Sequence, residues 1–465
     1  MSLQIFVYVI KCNCKVYTRS RKIGKYFIKS VSILLSAGGG THSKISASII
    51  GKVLIQMNTE RPYPSVVISD RCRKRIVGGH PWIYDNEIVS ADDNIIDGEI
   101  ADVFTEKHRY IGSGFFNSHS KIRVRIISRS ANDRFDEKFW RRRVEYAYNY
   151  RKTVMSPDEL ECCRIVFGEA DFLPGLTVDR FGGLLSVQIL SLGIEKVRDM
   201  IFNALIDVLE KDGRPISGIY LRNDVNIRQL EGMSEEKGWY WFSGEEPPSP
   251  TVNITENGII YEVDVENGQK TGFFLDQKHN RKAAASLAKG KNVLDCCTHT
   301  GSFALNAAKG GAAYVHGIDV SESALECARR NAALNGLSER ITFEKADVFD
   351  KLTELVEKHD RTFDYIILDP PAFTKSRKTA ENAKKGYLEL NTLALRLLPR
   401  GGYLATASCS HFMTEKMFYE MLMRAASDAD VSLRQISFSQ QCADHPILLS
   451  VDETNYLKFF LFQAV

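Results

Sequence analysis

The chain reads as an α/β protein. A parallel sheet covered by helices fills its last part, after a β-rich module and a smaller α+β segment. Three observations predict this. Beyond "GEEPPSP" (Gly244 to Pro250), short apolar runs alternate with amphipathic segments, the pattern of strand-helix units in a parallel sheet. Between Met57 and Ser130 the runs are shorter, alternate in polarity and are broken by glycine. At 465 residues the chain exceeds one ordinary core, so two or three domains are expected.

In order, "PSVVIS" and "KIRVRIIS" predict strands of the first module, with breaks at "VGGHPWIY" and "IGSGFFN". "DEKFWRRRVEYAYNYRKTV" (Asp136 to Val154) has helical periodicity and a basic cluster, Arg141-Arg142-Arg143. "CRIVFGEADFLPGLTVDRFGGLLSVQIL" reads as two or three strands and "IEKVRDMIFNALIDVLEK" as an amphipathic helix. "NGIIYEVDVENGQKTGFF" predicts a hairpin turning at Asn267-Gly268. Strands "NVLDCC", "YVHGIDV", "ITFEKA", "FDYIILD" and "GYLATAS" follow, separated by helices, one of them near 380–398. The last two strands, "SLRQISFS" and "YLKFFLFQ", are close in sequence, so one should run antiparallel.

Composition is globular, 44% hydrophobic and 26% charged. No apolar run approaches the ~18 residues of a membrane helix, so no membrane partner is expected. "MSLQIFVYVI" lacks a charged n-region and a cleavage site, which argues against a secretory signal. Residues 1–56 hold nine of the 61 Lys and Arg and none of the 58 Asp and Glu, so the other 409 residues carry 52 basic and 58 acidic side chains. Such a basic leader fits a transit peptide, a nucleic-acid arm, a solvated tail, or sequence ahead of a true start at Met57, the reading preferred here. Ten cysteines without a CxxC pair or zinc-like spacing point to reduced thiols in an intracellular, cytoplasmic protein, and no metal is expected.

In "NVLDCCTHTGSFAL" a strand ends in Asp295, and Gly301 opens a helix, where glycine would let the backbone approach a ligand. The single glycine departs from the dinucleotide fingerprint, so adenosine without pyrophosphate fits better. Asp319 ends the next strand, where an acid can hold ribose hydroxyls, and Asp347 ends the third, within reach of an adenine amine. Each taken alone would more simply cap a helix.

These residues, with Asp369-Pro370-Pro371 after strand four, resemble class I S-adenosylmethionine-dependent methyltransferases. More narrowly, "GQKTGFFLDQKHNR", "LDPPAF", "SCSHFMT" and "ADHP" resemble the bacterial large-subunit ribosomal RNA 5-methylcytosine methyltransferases, and "GHPWIY" resembles a PUA domain. The resemblance spans Pro62 to Val465; "CCTHTGSF" is less aromatic than the family's loop. It implies a Rossmann-like seven-stranded methyltransferase domain (250–465), preceded by a β-rich PUA-like RNA-binding domain (57–131) and a small α+β central domain (132–249). It also implies S-adenosylmethionine as cofactor, ribosomal RNA as partner, and cofactor contacts at Phe274 and Gln277. Phe274 could equally be an ordinary core aromatic. The oligomeric state stays open, a homodimer included.

Asp369 and Cys409 fall at the ends of strands four and five, which as neighbours lie about 5 Å apart. An exocyclic amine needs only positioning for methylation. Carbon 5 of cytosine needs a thiolate at carbon 6 and a proton at N3. Cys409 is the candidate thiolate and Asp369 the group facing N3 of a flipped-out base. The alternative for Cys409 is one more buried thiol. Pro370 and Pro371 stiffen the loop. Phe373 either stacks on the base or packs under the loop. Lys375, Arg377 and Lys378 meet phosphates or are solvated. His411 is a candidate for lowering the thiol pKa, Cys442 is a weaker second thiol, and Cys296 and Cys297 are read as structural. The rival functions are guanine N-methylation, which needs no cysteine, and a non-catalytic RNA-binding assembly factor.

Overall fold

The computed structural model describes residues 61–373 and 380–465; the basic leader, Lys375, Arg377 and Lys378 lie outside the described residues. Tyr63–Val465 forms one compact unit.

The first module is a six-stranded sheet running from Ser65–Ile68 to Ile122–Ser128. A short helix, Asp70–Val77, packs Cys72 and Ile76 toward a core that includes Val66, Val103 and Val124. The central segment is a five-stranded sheet with helices Glu137–Val154 and Leu192–Lys211 against it. In the first of these, Asp136 caps the N-terminus by accepting from the Phe139 N–H. Phe139, Trp140, Val144, Ala147 and Tyr148 recur at helical spacing and are buried, whereas Arg142 and Tyr146 face solvent. "CRIVFGEAD…" resolves into three strands: Cys162–Phe167, Leu176–Phe181 and Leu184–Ile189.

The expected hairpin turns elsewhere. Thr251–Glu256 pairs antiparallel with Ile259–Asp264, and the turn is Asn257-Gly258, with φ of 53° and 72°. Asn267-Gly268 instead follows the second strand, where the Asp264 carboxylate accepts from the Glu266 and Asn267 N–H groups. Both dipeptides suit a tight turn; the one flanked by β-forming runs on both sides made it.

The last sheet has seven strands: β1 (Asn292–Cys296), β2 (Tyr314–Asp319), β3 (Ile341–Lys345), β4 (Tyr365–Leu368), β5 (Tyr403–Ser408), β6 (Leu433–Ser439) and β7 (Lys458–Ala464). Their order is β3-β2-β1-β4-β5-β7-β6, parallel through β5, with β7 antiparallel to both β5 and β6. The flanking helices are α1 (Lys278–Ala285), α2 (Ser302–Lys309), α3 (Glu322–Leu334), α4 (Val348–Glu357), α5 (Ala380–Leu397) and α6 (Glu415–Asp428). The sheet is apolar on both faces, as a helix-covered sheet must be. Tyr365 and Ile367 enter one core, and Ile366 and Leu368 the other. Chain order reverses between β1 and β4, so the connections leaving those strands diverge and open a crevice at their carboxyl ends.

Candidate active site

A cavity of about 350 Å³ occupies that crevice. Nine of the expected site residues line it: Phe274, Gln277, Asp319, Asp347, Asp369, Pro370, Pro371, Phe373 and Cys409. Asp295 and Gly301 do not. Asp295 is fully buried below the wall, where Oδ2 accepts from the Thr298 hydroxyl at 2.6 Å and the Ala304 N–H at 2.9 Å. Its Oδ1 is buried with no partner, and burial pushes its pKa up to about 7. Gly301 has φ +80°, and a Cβ there would stand 2.7 Å from Leu305 Cδ1 and 3.1 Å from Ala328 Cβ. Glycine is needed there by helix packing, on the side away from the cavity.

The other two acids accept from backbone N–H groups and line the cavity at once. Asp319 accepts from the Ser321 and His299 N–H groups, both at 2.9 Å. Asp347 is the N-cap of α4, with Oδ1 accepting from Phe349 N at 2.8 Å. Each keeps lone pairs for further donors. Between them, Ala346, Val348 and Phe349 add an apolar shelf. Two acids and an aromatic shelf at successive strand ends fit the diol and flat base of an adenosine.

Opposite them, Phe274 meets the His299 ring edge-on at 5.4 Å, and Lys270 Nζ lies 4.6 Å from its centroid. Buried Arg281 fixes this segment: it pairs with Glu256 at 2.7 and 2.8 Å and donates to the Phe274 carbonyl at 2.8 Å. Cys297 and His299 adopt left-handed φ of 61° and 50°, unusual for such side chains, and both line the cavity. The sequence reading made Cys297 purely structural; the reversed backbone after β1 puts it on the wall. Cys296 is buried, as expected.

Gln277 lines the cavity and also makes a contact that the sequence does not show. Its Nε2 donates to Asp369 Oδ1 at 3.0 Å, while its Oε1 accepts from Asn280 at 2.7 Å. It therefore orients Asp369. Burial, then the charge of Asp276, raises the Asp369 pKa to about 7, against the pull of Arg281, Gln277 and Lys270. Asp276 stays ionised below its ordinary range: burial opposes this, but Lys270, His445 and the Tyr456 hydroxyl at 2.6 Å prevail. One wall thus holds a charged carboxylate and a carboxyl that keeps its proton near neutrality.

Cys409 is half-buried at the end of β5. Burial and Asp369 raise its pKa to about 11, opposed by Lys270 and Lys458. Lys458 was not anticipated. It is 4% exposed, stands opposite Ser408 in the β5–β7 register and donates to the Ser410 carbonyl at 2.6 Å and the Tyr456 carbonyl at 2.8 Å. Burial lowers its pKa to about 8. Lys458 is thus a second cation near the thiol, after Lys270. His411 packs on Phe412 and lines a neighbouring cavity that it shares with Lys458. Phe373 packs on Tyr387 at 4.6 Å and lies 6.1 Å from Phe349, which favours packing under the loop. Cys442 is buried outside the cavity, 3.5 Å from His279 Nδ1.

Comparison with known proteins accords with this geometry. A PUA-like domain family matches residues 66–129, and an S-adenosylmethionine-dependent methyltransferase family matches residues 230–463. The ribosomal RNA large subunit methyltransferase I of Aeromonas hydrophila is 40% identical over 392 residues, covering 84% of this chain and 97% of that protein. The protein of the same name from Klebsiella pneumoniae is 36% identical over 403 residues, covering 86% and 98%. A SAM-dependent methyltransferase from Streptococcus mutans shares the fold at a TM-score of 0.71 and 22% identity, covering 86% of this chain and 99% of that one. A solved methyltransferase complexed with SAH does so at 0.73 and 21%, with the same coverage. The chain belongs to the S-adenosylmethionine-dependent methyltransferase family, and S-adenosylmethionine is its cofactor.

Proposed function

We propose that this protein methylates carbon 5 of a cytosine in large-subunit ribosomal RNA, in the cytoplasm, through a covalent Cys409 adduct. The observation that carries the reading is a thiol and a protonatable carboxyl on one cavity wall, Cys409 and Asp369, beside acids suited to an adenosine. The names of the relatives support the RNA substrate. Bound S-adenosylmethionine supplies an electrophilic methyl group; Asp319, Asp347 and Phe274 would hold it. The domain limits expected from sequence, with an RNA-binding first module, belong to the same proposal.

The chemistry asks two things of the protein. The Cys409 thiolate adds to carbon 6 of a base turned out of its stack. Ring electrons shift toward N3, which takes the Asp369 proton and leaves carbon 5 electron-rich. Lys270 and Lys458 favour the thiolate by charge, and Gln277 holds Asp369 in place. After methylation, solvent water takes the carbon-5 proton, the C5–H electron pair restores the ring double bond as the thiolate departs, and N3 returns its proton to Asp369.

RNA bearing 5-fluorocytidine tests this, because fluorine cannot leave as a proton does and the adduct stalls. A stable complex mapping to Cys409, absent from Cys409→Ala, is expected. An adduct at another residue, or a nitrogen-methylated guanine as the product, would refute the reading.

A further inference from the structure

A second cavity, of about 190 Å³, lies where three parts of the chain meet. Pro81 and Arg129 come from the first module, Arg143, Phe172 and Pro174 from the central segment, and Leu448 from the loop between β6 and β7. The proposed chemistry makes no use of it.

Two arginines on its wall lack an acid. Among the described residues neither Arg129 nor Arg143 forms an ion pair. Arg129 reaches only the His80 carbonyl, at 3.4 Å, and Arg143 donates to the Ile127 carbonyl at 2.6 Å. Arg143 Nε is buried with no hydrogen-bond partner. The carboxylate whose charge reaches Arg143, Asp133, is taken by the Ser128 hydroxyl and Arg142. Glu169 also lines the cavity, but its Oε1 accepts from Trp82 Nε1 at 2.9 Å and faces Arg125 at 3.5 Å. An anion would therefore find two guanidiniums without an acid, Arg143 being held by the Ile127 carbonyl and the Phe139 and Phe172 rings, and one carboxylate, Glu169, that shares Arg125 with Glu231.

The same wall offers an aromatic surface. Phe172 has φ +58° and is 44% exposed, an unusual backbone and an uncovered ring for phenylalanine. The Arg143 guanidinium lies 5.3 Å from its centroid, so ring and cation form one platform.

One chain segment borders both this cavity and the proposed active site: Leu448 lines the junction cavity, Asp452, Asn455 and Lys458 line the cavity beside His411, and Leu457 lines the cofactor cavity. The first module holds this loop through His80 and Glu453, 3.5 Å apart.

We propose that this junction cavity binds an unpaired nucleotide of the RNA substrate, its phosphate on Arg129 and Arg143 and its base against Phe172. Phosphate plus planar base is the ligand that uses both the unpaired guanidiniums and the bare ring. The inference rests on RNA as the substrate. By holding a nucleotide outside the reaction site, the cavity sets where the target cytosine falls, a function of register that needs no broadly basic surface.

The test is equilibrium binding of a fluorescein-labelled single-stranded RNA of mixed sequence to the full chain across a salt titration. Arg129→Glu changes an exposed side chain, and Phe172→Asn keeps a residue that tolerates left-handed backbone, so both variants should fold. Arg129→Glu is expected to weaken binding roughly tenfold or more and lower the salt slope by about one. Phe172→Asn should weaken binding roughly tenfold with the salt slope unchanged. Both should raise KM for RNA with kcat and S-adenosylmethionine affinity unaltered. If wild type binds and both variants bind equally well, as they would if the cavity served a protein partner, this site is refuted while the methyltransferase reading stands. If wild type binds no RNA, both fall.

Discussion

In the central five-stranded segment, two buried ion pairs tie the structure together. Arg164 grips Asp179 with two hydrogen bonds of 2.7 Å, and fully buried Arg151 meets Asp171 at 2.5 Å. At the carboxyl edge of the seven-stranded sheet, Asp295 and Asp369 form no ion pair among the described residues, and both pKa values rise to about 7. The difference is one of purpose. A paired buried carboxylate stays ionised and ties segments together, at a desolvation cost its partner offsets. An unpaired one takes up a proton near neutrality, and a carboxyl that holds a proton can deliver it. The first arrangement builds the scaffold, and the second is what acid–base chemistry requires.

Removing the thiol should have the largest effect. Cys409→Ala is expected to lower methyl transfer by roughly 10⁴-fold or more, read by incorporation of labelled methyl into RNA, with folding intact. Residual activity within tenfold of wild type would make Cys409 one more half-buried thiol.

Breaking a scaffold pair comes next. Asp171→Ala strands the buried Arg151 charge and should cost about 3–5 kcal/mol of stability, measured by urea unfolding. The folded fraction should bind S-adenosylmethionine normally; a selective loss of cofactor binding would blur the contrast between the two regions.

Asp369→Asn keeps the shape and removes the proton, for an expected loss of roughly 10²-fold. With the acid near 7 and the thiol near 11, the reactive pair needs a protonated acid and an ionised thiol. Below about 7 a proton must be lost, so kcat/KM climbs with pH; above it, transfer from thiol to carboxylate conserves the proton and the profile levels. In Asp369→Asn the climb should continue past pH 7 toward the thiol pKa. Stability has its own sign. The Asp369 pKa is raised from about 3.9 when unfolded, so its contribution is complete at low pH and is lost as pH rises through about 7. The Tm of Asp369→Asn minus that of wild type should therefore grow between pH 4.5 and 7.5. A constant difference would mean Asp369 is already ionised.

The smallest effect belongs to the cofactor side. Asp319→Ala should weaken S-adenosylmethionine binding roughly tenfold, about 1.4 kcal/mol, by calorimetry. Part of that loss reflects the His299 and Ser321 N–H groups it leaves unpaired.

Much of the site was legible because it lies at strand ends. Apolar runs mark β1 to β5, and Asp319, Asp347, Asp369 and Cys409 follow from where those runs stop. Gly301 and Gln277 have partners that the sequence does not show. Gly301 answers to Leu305 and Ala328, and Gln277 to Asp369 across 92 residues. Asn257-Gly258 and Asn267-Gly268 are the same dipeptide, and only pairing of the flanking strands distinguishes them.

What the sequence alone determined are the properties that are local in the chain: the alternation that makes a parallel sheet, the acids that close its strands, and the Asp-Pro-Pro and Ser-Cys-Ser segments. Helix period, strand length and turn chemistry act over a few residues and so leave a readable trace. Only the tertiary structure decided what depends on distant segments meeting. Lys458 reaches the Ser410 carbonyl across 48 residues because β7 runs back beside β5. The junction cavity exists because segments near Pro81, Arg143 and Leu448 converge. The protonation of Asp369 likewise depends on burial and on Asp276, Gln277 and Arg281 arriving from an earlier segment. Charge and desolvation act through space, and their effect on a residue appears only once the chain has folded around it.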